Sequence, residues 1–249
     1  MKAGVKSMEM EQLFKKSERK AYIVNGKHLL IHGSSMDSYY DTLLSNIKIS
    51  AVVTDPPYGI NLLSSKNTLG RSKTVYKPVH GDTNTELFKM FYEKRIVSMG
   101  INNYAIFGGN YFAPILPSAK GWIAWDKKVN AGMSFSRTEL IYTSFHKKTD
   151  IIEYRYAGAA VEREEREYGY KRFHPTQKPI GLLRRVIQLL PDTEDYILDG
   201  FGGSASLMCA AEYEGTKSII FEVDEEYINQ GISLYLSLFP SHEIKEIVF

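Results

Sequence analysis

The stretch YILDGFGGSAS, residues 196–206, joins an apolar strand pattern to a glycine-rich turn. The apolar run ends at Asp199, glycines follow, and the pattern predicts a helix that begins near Ser204. Such a turn lets a ligand approach the backbone closely, beside the free N–H groups of a helix start. One strand later, SIIFEVD ends in Glu222 and Asp224. In α/β nucleotide-binding folds an acid at that place binds ribose hydroxyls, so the two stretches predict a nucleotide-like ligand.

The ligand predicted at this turn is a nucleoside without a triphosphate. Asp199 and Glu222 are 23 residues apart, close to the roughly 20 residues of dinucleotide-binding folds. The glycine spacing nevertheless departs from the dinucleotide pattern, because Asp199 and Phe201 interrupt it. The chain also lacks the Gly-Lys-Ser/Thr sequence of a phosphate loop.

A second polar turn, TDPPYG at residues 54–59, directly follows the buried-strand pattern ISAVV. Because proline cannot continue a sheet ladder, the strand has to end here, and Asp55 is held on a stiff backbone. The two prolines have no N–H group, which leaves nearby carbonyl groups free to accept hydrogen bonds. Tyr58 adds a flat aromatic face. A carboxylate, carbonyl acceptors and a ring together suit a planar group that carries an amino function.

Strand and helix patterns alternate along the chain, which predicts an α/β fold with a mostly parallel, doubly wound sheet. The length suits one large domain, so we expect residues 1–249 to form a single unit. Asn25-Gly26 between two apolar runs predicts a two-residue hairpin turn. Pro179 is placed to open the helix PIGLLRRVIQLL. The polar run at 163–173 is expected to be irregular, and the charged residues 162–167 to be solvated.

Composition narrows the class of protein further. A formal net charge of +2 neither requires nor excludes a nucleic-acid partner, since a basic face can exist within a balanced total. A single cysteine, Cys209, excludes a disulfide framework and suits the reducing cytoplasm, where we expect the protein to reside. No stretch has the uninterrupted apolar length of a membrane span, and the histidines and the cysteine lack metal-ligand spacing. We therefore expect neither a membrane partner nor a metal.

Four motifs occur in a fixed order along the chain: DPPY at 55–58, HPTQKP at 174–179, DGFGGSAS at 199–206 and FEVDEEYI at 221–228. In this order they resemble the motifs of the β-class DNA amino-methyltransferases, which have Asp-Pro-Pro-Tyr, Asp-Pro-Phe-x-Gly-Ser-Gly-Thr and an acid after the next strand. GWIAWDK and FSRTELIYTSF are similar to phage-borne members, and other members belong to restriction-modification systems. DPPY precedes the glycine turn by 144 residues, and this order defines the β class. The resemblance covers about residues 20–236 and implies a Rossmann-like methyltransferase fold with a circularly permuted motif order.

The resemblance implies methyl transfer from S-adenosylmethionine to an exocyclic amino group of a DNA base. In the family's mechanism, the Asp55 carboxylate and the Pro56 carbonyl accept hydrogen bonds from that group, and Tyr58 stacks on the flipped base. The expected catalytic set is Asp55, Pro56, Pro57 and Tyr58. Family members with Asp in this block favour adenine N6, and cytosine N4 is the alternative within the enzyme class. A DNA-binding subunit that kept the fold without catalysis is a further alternative, against which the intact DPPY argues.

The resemblance also implies a set of cofactor-binding residues: Asp199, Phe201, Gly203 and Ser204 in the turn, Glu222 on the ribose, and Thr176, Gln177 and Lys178 over the methionine end. Two departures from the family pattern concern this set. Gly200 stands in place of the turn's proline, and Ala205 in place of its second glycine. The family's Gly-Asp pair, whose acid contacts adenine, is Gly33-Ser34 here. Asp37, three residues further on, is expected to supply the acid instead.

Double-stranded DNA is the partner that the resemblance implies. Two loops, residues 60–80 and 147–173, are expected to face it. The first loop is basic, and its cations are expected to contact phosphates: Lys66, Arg71, Lys73 and Lys77. Neither loop is large enough to form a separate recognition domain, so specific recognition is expected to involve a homodimer or another partner.

Overall fold

The computed structural model of the chain describes residues 19–63, 75–130, 136–157 and 160–248. Its strands are β1 (Lys20–Val24), β2 (His28–His32), β3 (Ile49–Thr54), β4 (Tyr104–Phe107), β5 (Trp122–Asp126), β6 (Thr138–Thr143), β7 (Asp150–Glu153), β8 (Tyr156–Ala157), β9 (Ala160–Val161), β10 (Tyr196–Asp199), β11 (Lys217–Glu222) and β12 (Ile244–Val248). Within the described part, ten of these strands form one sheet in the order β12-β1-β2-β11-β10-β3-β4-β6-β5-β7, and β8 pairs with β9.

The centre of the sheet is parallel. Strands β2, β11, β10, β3 and β4 run in the same direction, each hydrogen-bonded to the next. Antiparallel pairs flank this centre, β12 and β1 on one side and β6 on the other. The hairpin between β1 and β2 turns through Asn25 (φ 52°) and Gly26 (φ 60°), as the sequence predicts. The mostly parallel α/β sheet is thus confirmed.

Helices cover both faces of the sheet. Their bounds are α1 (Asp41–Ser45), α2 (Glu86–Phe91), α3 (Arg163–Glu167), α4 (Ile180–Gln188), α5 (Ser206–Tyr213) and α6 (Glu225–Leu238), and a π-helical segment, Tyr92–Val97, continues α2. One apolar cluster joins the sheet to α4, α5 and α6, and a second joins its other face to α1 and α2. This two-sided packing is the doubly wound arrangement. None of the helices in the described ranges has the length and apolar character needed to cross a bilayer.

The parallel centre determines where polar residues meet. The carboxyl ends of parallel strands lie at one edge of a sheet, and ligands bind in the crevice outside that edge. Asp55 directly follows β3, Asp199 ends β10 and Glu222 ends β11. Because β3, β10 and β11 are adjacent, the structure brings these three carboxylates to the same edge.

The segment 147–173 is more ordered than the sequence predicts. It contains β7, β8, β9 and helix α3, so the expectation of a loop at 147–173 was wrong. The expectation of an irregular run at 163–173 fails over helix α3 and holds for residues 168–173. The expectation that residues 162–167 are solvated fails at Glu165, which is buried. Its carboxylate accepts hydrogen bonds from the backbone N–H groups of Ile180 (2.9 Å) and Gly181 (3.2 Å), which begin α4 directly after Pro179. The hydroxyls of Tyr154 and Tyr170 donate to the same carboxylate.

Replacing Glu165 by alanine should lower the free energy of unfolding by about 2 kcal/mol or more, since buried donors then lose their acceptor. Glu167→Ala is the matched control, because Glu167 lies on the same helix with its side chain 61% exposed. The control should change stability by no more than roughly 0.5 kcal/mol, as expected for an exposed ion pair. Urea unfolding of the two variants checks this, and equal changes would contradict the capping role of Glu165.

Candidate active site

A cavity of about 690 Å³ lies at the carboxyl edge of the parallel strands. Its volume is within the range of about 300–1,000 Å³ that is usual for small-molecule sites. Its lining includes residues 53–58, 78–82, 176–178, 199–204 and 221–224. The structure therefore places the DPPY turn, the glycine turn, the strand-ending acid and most of the HPTQKP segment around one space.

The glycine turn is tied to the neighbouring strand β11. The Gly202 N–H donates to the Phe221 carbonyl at 2.7 Å, and the Gly203 N–H donates to Glu222 Oε2 at 2.6 Å. A Cβ on Gly202 would overlap the Ile220 side chain, so a larger residue does not fit there. These contacts hold the backbone of the turn close to the cavity, where a ligand can approach it.

Ala205 adopts a backbone conformation that favours glycine. Its φ is 54°, in the left-handed region that costs an L-residue roughly 1–2 kcal/mol. The family residue at this place is glycine, which adopts the conformation without that cost. The space for the Ala205 methyl group is provided by Gly231, where an added Cβ would lie 2.9 Å from the Ala205 Cβ. The departure from the family pattern therefore preserves the course of the turn.

Asp199 is buried and Glu222 is half-buried, and both accept hydrogen bonds that organise the turn. Asp199 Oδ1 accepts from the Thr54 hydroxyl at 2.6 Å and from the Phe201 N–H at 3.0 Å. Glu222 Oε1 accepts from the Asp224 N–H at 2.8 Å. Burial raises the pKa of Asp199 to about 7 and also raises the pKa of Glu222. Both side chains line the cavity, as expected for cofactor-binding groups.

Asp55 belongs to a largely buried cluster of charges. Its Oδ2 is 2.7 Å from Lys178 Nζ, which is also 3.0 Å from Glu139 Oε1. The Tyr58 hydroxyl is 2.6 Å from Asp55 Oδ1 and 2.7 Å from Glu139 Oε1, and its single proton can be donated to only one of them at a time. Lys127 Nζ lies 3.1 Å from the other Glu139 oxygen. The cluster thus contains two carboxylates, two ammonium groups and one phenol.

The two carboxyl groups of this cluster have different proton affinities. Burial raises the pKa of Asp55, and the Lys178 ammonium only partly opposes this. Burial acts on Glu139 in the same direction, but Lys178 and Lys127 outweigh it and lower the pKa of Glu139 to about 2. Burial also raises the pKa of the Tyr58 hydroxyl well above its ordinary value. Two neighbouring carboxyl groups whose pKa values are pushed apart are the usual arrangement of an acid and a base.

Two features of the cluster concern residues that the sequence singled out. The Asp55 side chain is 15% exposed and pairs with Lys178. Lys178 lines the cavity and its ammonium group binds Asp55 and Glu139, and its expected place over the methionine end of the cofactor stays a prediction. Removing Asp55 therefore leaves Lys178 with Glu139 as its remaining carboxylate partner among the described residues.

The ring of Tyr58 is held between protein groups. The Tyr111 ring stacks on it at a centroid distance of 4.9 Å and an interplanar angle of 14°, so one face is covered. Gly108 also lies against the ring, and a Cβ there would overlap it. Tyr58 lines the cavity beside Pro56 and Pro57. Its expected stacking on a base stays a prediction.

The HPTQKP segment contributes an unpaired donor. Gln177 is 3% exposed, and its Oε1 accepts from the backbone N–H of Phe173 at 3.0 Å. Its Nε2 is buried and has no hydrogen-bond partner among the described residues. Thr176 Oγ1 lies 3.2 Å from His174 Nδ1, and burial lowers the pKa of His174 to about 3, so this ring is neutral near pH 7. Since Gln177 lines the cavity, its amide N–H is available to an acceptor on a ligand.

Other predicted site residues lie elsewhere. Asp37 is not part of the cavity lining, and its carboxylate binds Arg19 at 2.6 Å, so the expectation that it replaces the family's adenine-contacting acid was wrong. Lys77 pairs with Asp224 and Glu226, close to the glycine turn. Its contact with DNA phosphate stays a prediction. The remaining predicted DNA contacts, Lys66, Arg71 and Lys73, lie outside the described residues.

The sequence did not indicate two further groups at the site, Glu139 beside the cavity and Asp82 in its lining. Glu139 lies on β6 two residues before Ile141, which is fully buried, so the alternation of the strand already placed it on the inner face. Asp82 accepts from the backbone N–H groups of Gly59 (2.9 Å) and Leu62 (2.7 Å) and thereby fixes the chain after DPPY. The available signal for Glu139 was its position on β6, where it alternates in step with an apolar residue that faces the interior. No local pattern indicated Asp82.

Comparison with known proteins agrees with this geometry. Residues 122–233 match the model of a family described as DNA methylase. The DNA adenine methyltransferase YhdJ of Escherichia coli (strain K12) is 42% identical over 59 residues, which are 24% of this chain and 20% of YhdJ. The type II methyltransferase M2.DpnII of Streptococcus pneumoniae is 42% identical over 55 residues, which are 22% of this chain and 20% of that protein. The chain thus matches these relatives over about a fifth of their length.

Two solved structures share the fold. One is M1.HpyAVI in complex with SAM, with a TM-score of 0.55 and 19% identity over 82% of this chain and 97% of that one. The other is the cytosine-N4-specific PvuII DNA methyltransferase, with a TM-score of 0.56 and 16% identity over 84% of this chain and 86% of that one. At this identity the likeness concerns the fold, and it extends over most of the chain. Residues 122–233 of this protein are therefore similar to the DNA methylase family.

Proposed function

We propose that the protein transfers a methyl group from S-adenosylmethionine to the exocyclic amino group of adenine (N6) in double-stranded DNA. The observation that carries the proposal is the shared cavity, which joins the Asp55 carboxylate to the glycine turn and to Glu222. The end of the cavity at the DPPY turn supplies acceptors for an amino group. The end at the glycine turn supplies accessible backbone beside the Glu222 carboxylate. A transfer between two bound molecules requires both ends in one space.

The residues of the cavity fit S-adenosylmethionine. Gly202 and Gly203 give a ligand access to the backbone, and Glu222 offers carboxylate oxygens to ribose hydroxyls. Gln177 Nε2 is a buried donor without a partner among the described residues, which suits the carboxylate of an amino acid. When bound, this cofactor supplies a methyl group on a positively charged sulfur, which an amine can attack directly.

The DPPY turn acts on the target amine. The lone pair of an exocyclic amino nitrogen is delocalised into the base, which makes it a poor nucleophile. Hydrogen bonds from its N–H groups to Asp55 and to the Pro56 carbonyl favour a tetrahedral nitrogen with a localised lone pair. This is alignment together with charge stabilisation, with no covalent intermediate. Cys209 is fully buried, and the mechanism gives its thiol no role.

Adenine is favoured over cytosine by two points. The block is Asp-Pro-Pro-Tyr, the form that leans to adenine among the family members the sequence resembles. YhdJ, the relative that is 42% identical over its matched segment, is named as an adenine methyltransferase. A base inside a duplex cannot reach the cavity unless it is flipped out, which costs a few kcal/mol.

The test is to incubate the protein with S-adenosylmethionine carrying an isotopically labelled methyl group and with unmethylated genomic DNA. The DNA is then digested, and the modified nucleoside is identified by mass spectrometry. Labelled N6-methyl-2′-deoxyadenosine is expected. Labelled N4-methyl-2′-deoxycytidine would instead assign the cytosine alternative, and unmodified DNA with folded, cofactor-binding protein would favour a non-catalytic DNA-binding subunit.

Tyr58→Ala should weaken the binding of target DNA by roughly 1–3 kcal/mol, the scale of one lost base-stacking contact. Tyr58→Phe is the matched control for binding, because it keeps the ring. The phenylalanine variant should still lose part of kcat, since the hydroxyl donates to Asp55 or Glu139. Fluorescence anisotropy with a short duplex separates the two effects. Equal losses of DNA affinity in both variants would contradict stacking by the ring.

A further inference from the structure

We propose that Glu139 is a positioning residue for methyl transfer: it holds the Lys178 ammonium and so leaves the Asp55 carboxylate to accept the proton that the target amine loses. This inference rests on the proposed function and adds to it the destination of the proton. Neither the DPPY turn nor the glycine turn contains Glu139, which lies on β6.

Lys178 carries a charge that is almost fully buried. Its side chain is 9% exposed, so its charge needs a carboxylate partner inside the protein. Asp55 and Glu139 share it at 2.7 and 3.0 Å. If Asp55 is to accept a hydrogen bond from an amine, Lys178 has to be held by another group. Glu139 already contacts the Lys178 ammonium and can serve as its carboxylate partner without a large movement.

Glu139 itself is held by a second ammonium group. Its side chain is 12% exposed, and its second oxygen lies 3.1 Å from Lys127 Nζ. The Lys127 ammonium in turn lies 4.8 Å from the centre of the Trp125 ring. Glu139 is therefore fixed between two ammonium groups. A fixed anion of this kind continues to balance the charge of Lys178 while Asp55 exchanges its contact with Lys178 for one with the target amine.

Methyl transfer requires that the amine lose one proton. The amine lone pair forms the new N–C bond, and the electrons of the C–S bond remain on sulfur. The nitrogen then has four bonds and a positive charge. One N–H bond breaks, its electron pair returns to nitrogen, and the proton passes to an oxygen of Asp55. The protein therefore has to provide one carboxylate that is available to a proton.

Of the two carboxyl groups, Asp55 is the better acceptor. Glu139 is stabilised as an anion by both lysines, whereas Asp55 shares only Lys178. The negative charge of Glu139 disfavours the ionised form of Asp55, and the charge of Asp55 acts in the same direction on Asp199. Among the residues that the structure describes, the ionisable groups in contact with Asp55 are Lys178 and Tyr58, which Glu139 also contacts, with Asp199 beyond Thr54 and Lys127 behind Glu139.

The test is Glu139→Gln, measured as kcat against pH at saturating S-adenosylmethionine and DNA. We expect kcat to fall by about 10-fold or more, because Lys178 then remains on Asp55. We also expect the acidic limb of the profile to move to lower pH. Glu139 raises the pKa of Asp55, so loss of its negative charge lowers that pKa. Cofactor affinity, measured by calorimetry, should stay within about twofold, since Glu139 is not among the residues lining the cavity.

Glu212→Gln is the matched control. Glu212 is 11% exposed and pairs with Lys27 and His28, so its replacement removes a similarly buried carboxylate. The control should leave the position of the acidic limb unchanged. If Glu139→Gln does not fold, Glu139→Asp replaces it: this variant keeps the charge but reaches less far, and it should lose part of kcat without moving the limb. The proposal would be overturned if folded Glu139→Gln protein had a wild-type kcat and an acidic limb of the pH profile at the wild-type position.

A measurement without turnover separates this inference from the proposed function. The Asp55 carboxyl carbon can be titrated by NMR in DNA-free protein, with Asp55→Asn to assign the signal. Glu139→Gln should lower the Asp55 pKa, and an unchanged pKa would overturn the link between the two groups. Wild-type protein without any methyl transfer would overturn the proposed function instead, whatever the titration gives.

Discussion

Asp55→Ala should lower kcat for methyl transfer by about 100-fold or more, the scale of losing one preorganised electrostatic group. The carboxylate accepts most strongly when the amine nitrogen becomes tetrahedral, which places its effect in the transition state. The same carboxylate is the proposed destination of the proton, so the variant loses both contributions. Binding of S-adenosylmethionine should change far less, because the glycine turn and Glu222 remain.

The measurement is single-turnover methylation at saturating cofactor and DNA. Asp195→Ala is the matched control, since Asp195 precedes β10 at the opposite edge of the sheet and pairs with Lys48 at 2.7 Å. It should keep the wild-type rate. Asp55→Ala also deprives Lys178 of one partner, so its thermal stability is compared with wild type and the rate is taken per folded molecule. A rate near wild type would contradict the proposed mechanism and favour the non-catalytic alternative.

The two ends of the cavity were predictable because each depends on a local pattern. Prolines force β3 to end just before Asp55, and glycines force a turn after Asp199, whatever the rest of the chain does. Parallel strands then bring their carboxyl ends together, so the alternation of strands and helices was enough to place these carboxylates at one edge. The hairpin at Asn25-Gly26 followed from the same kind of local constraint.

The charge cluster was not predictable in this way. Glu139 and Lys178 are 39 residues apart in the chain, and they meet because β6 pairs with β4, next to β3. That order depends on packing over the whole sheet. The burial of Glu165 was unpredictable for the same reason. A polar run is expected to be solvated unless it is known that the start of helix α4, which Glu165 caps, lies beside it. Asp37 is the opposite case. It lies only three residues from Ser34, where the family has its adenine-contacting acid, yet it is not among the residues lining the cavity.

Glu222→Ala should weaken the binding of S-adenosylmethionine by roughly 1.5–3 kcal/mol, the scale of hydrogen bonds to a charged acceptor. This corresponds to about a 10- to 150-fold rise in Kd. The structure gives two reasons for the loss. The carboxylate lines the cavity as the proposed ribose acceptor, and its Oε2 also accepts from the Gly203 N–H at 2.6 Å and so holds the turn.

Glu222→Gln separates these two roles, because the amide oxygen can still accept from Gly203 while the negative charge is lost. If holding the turn dominates, the glutamine variant should bind nearly as well as wild type. If the charged acceptor dominates, it should resemble the alanine variant. Glu225→Ala is the matched control: it lies three residues on, its side chain is 54% exposed and it pairs with Lys20 outside the cavity lining. Calorimetry on all three folded variants decides the matter, and an unchanged Kd for Glu222→Ala would refute the placement of the cofactor against the end of β11.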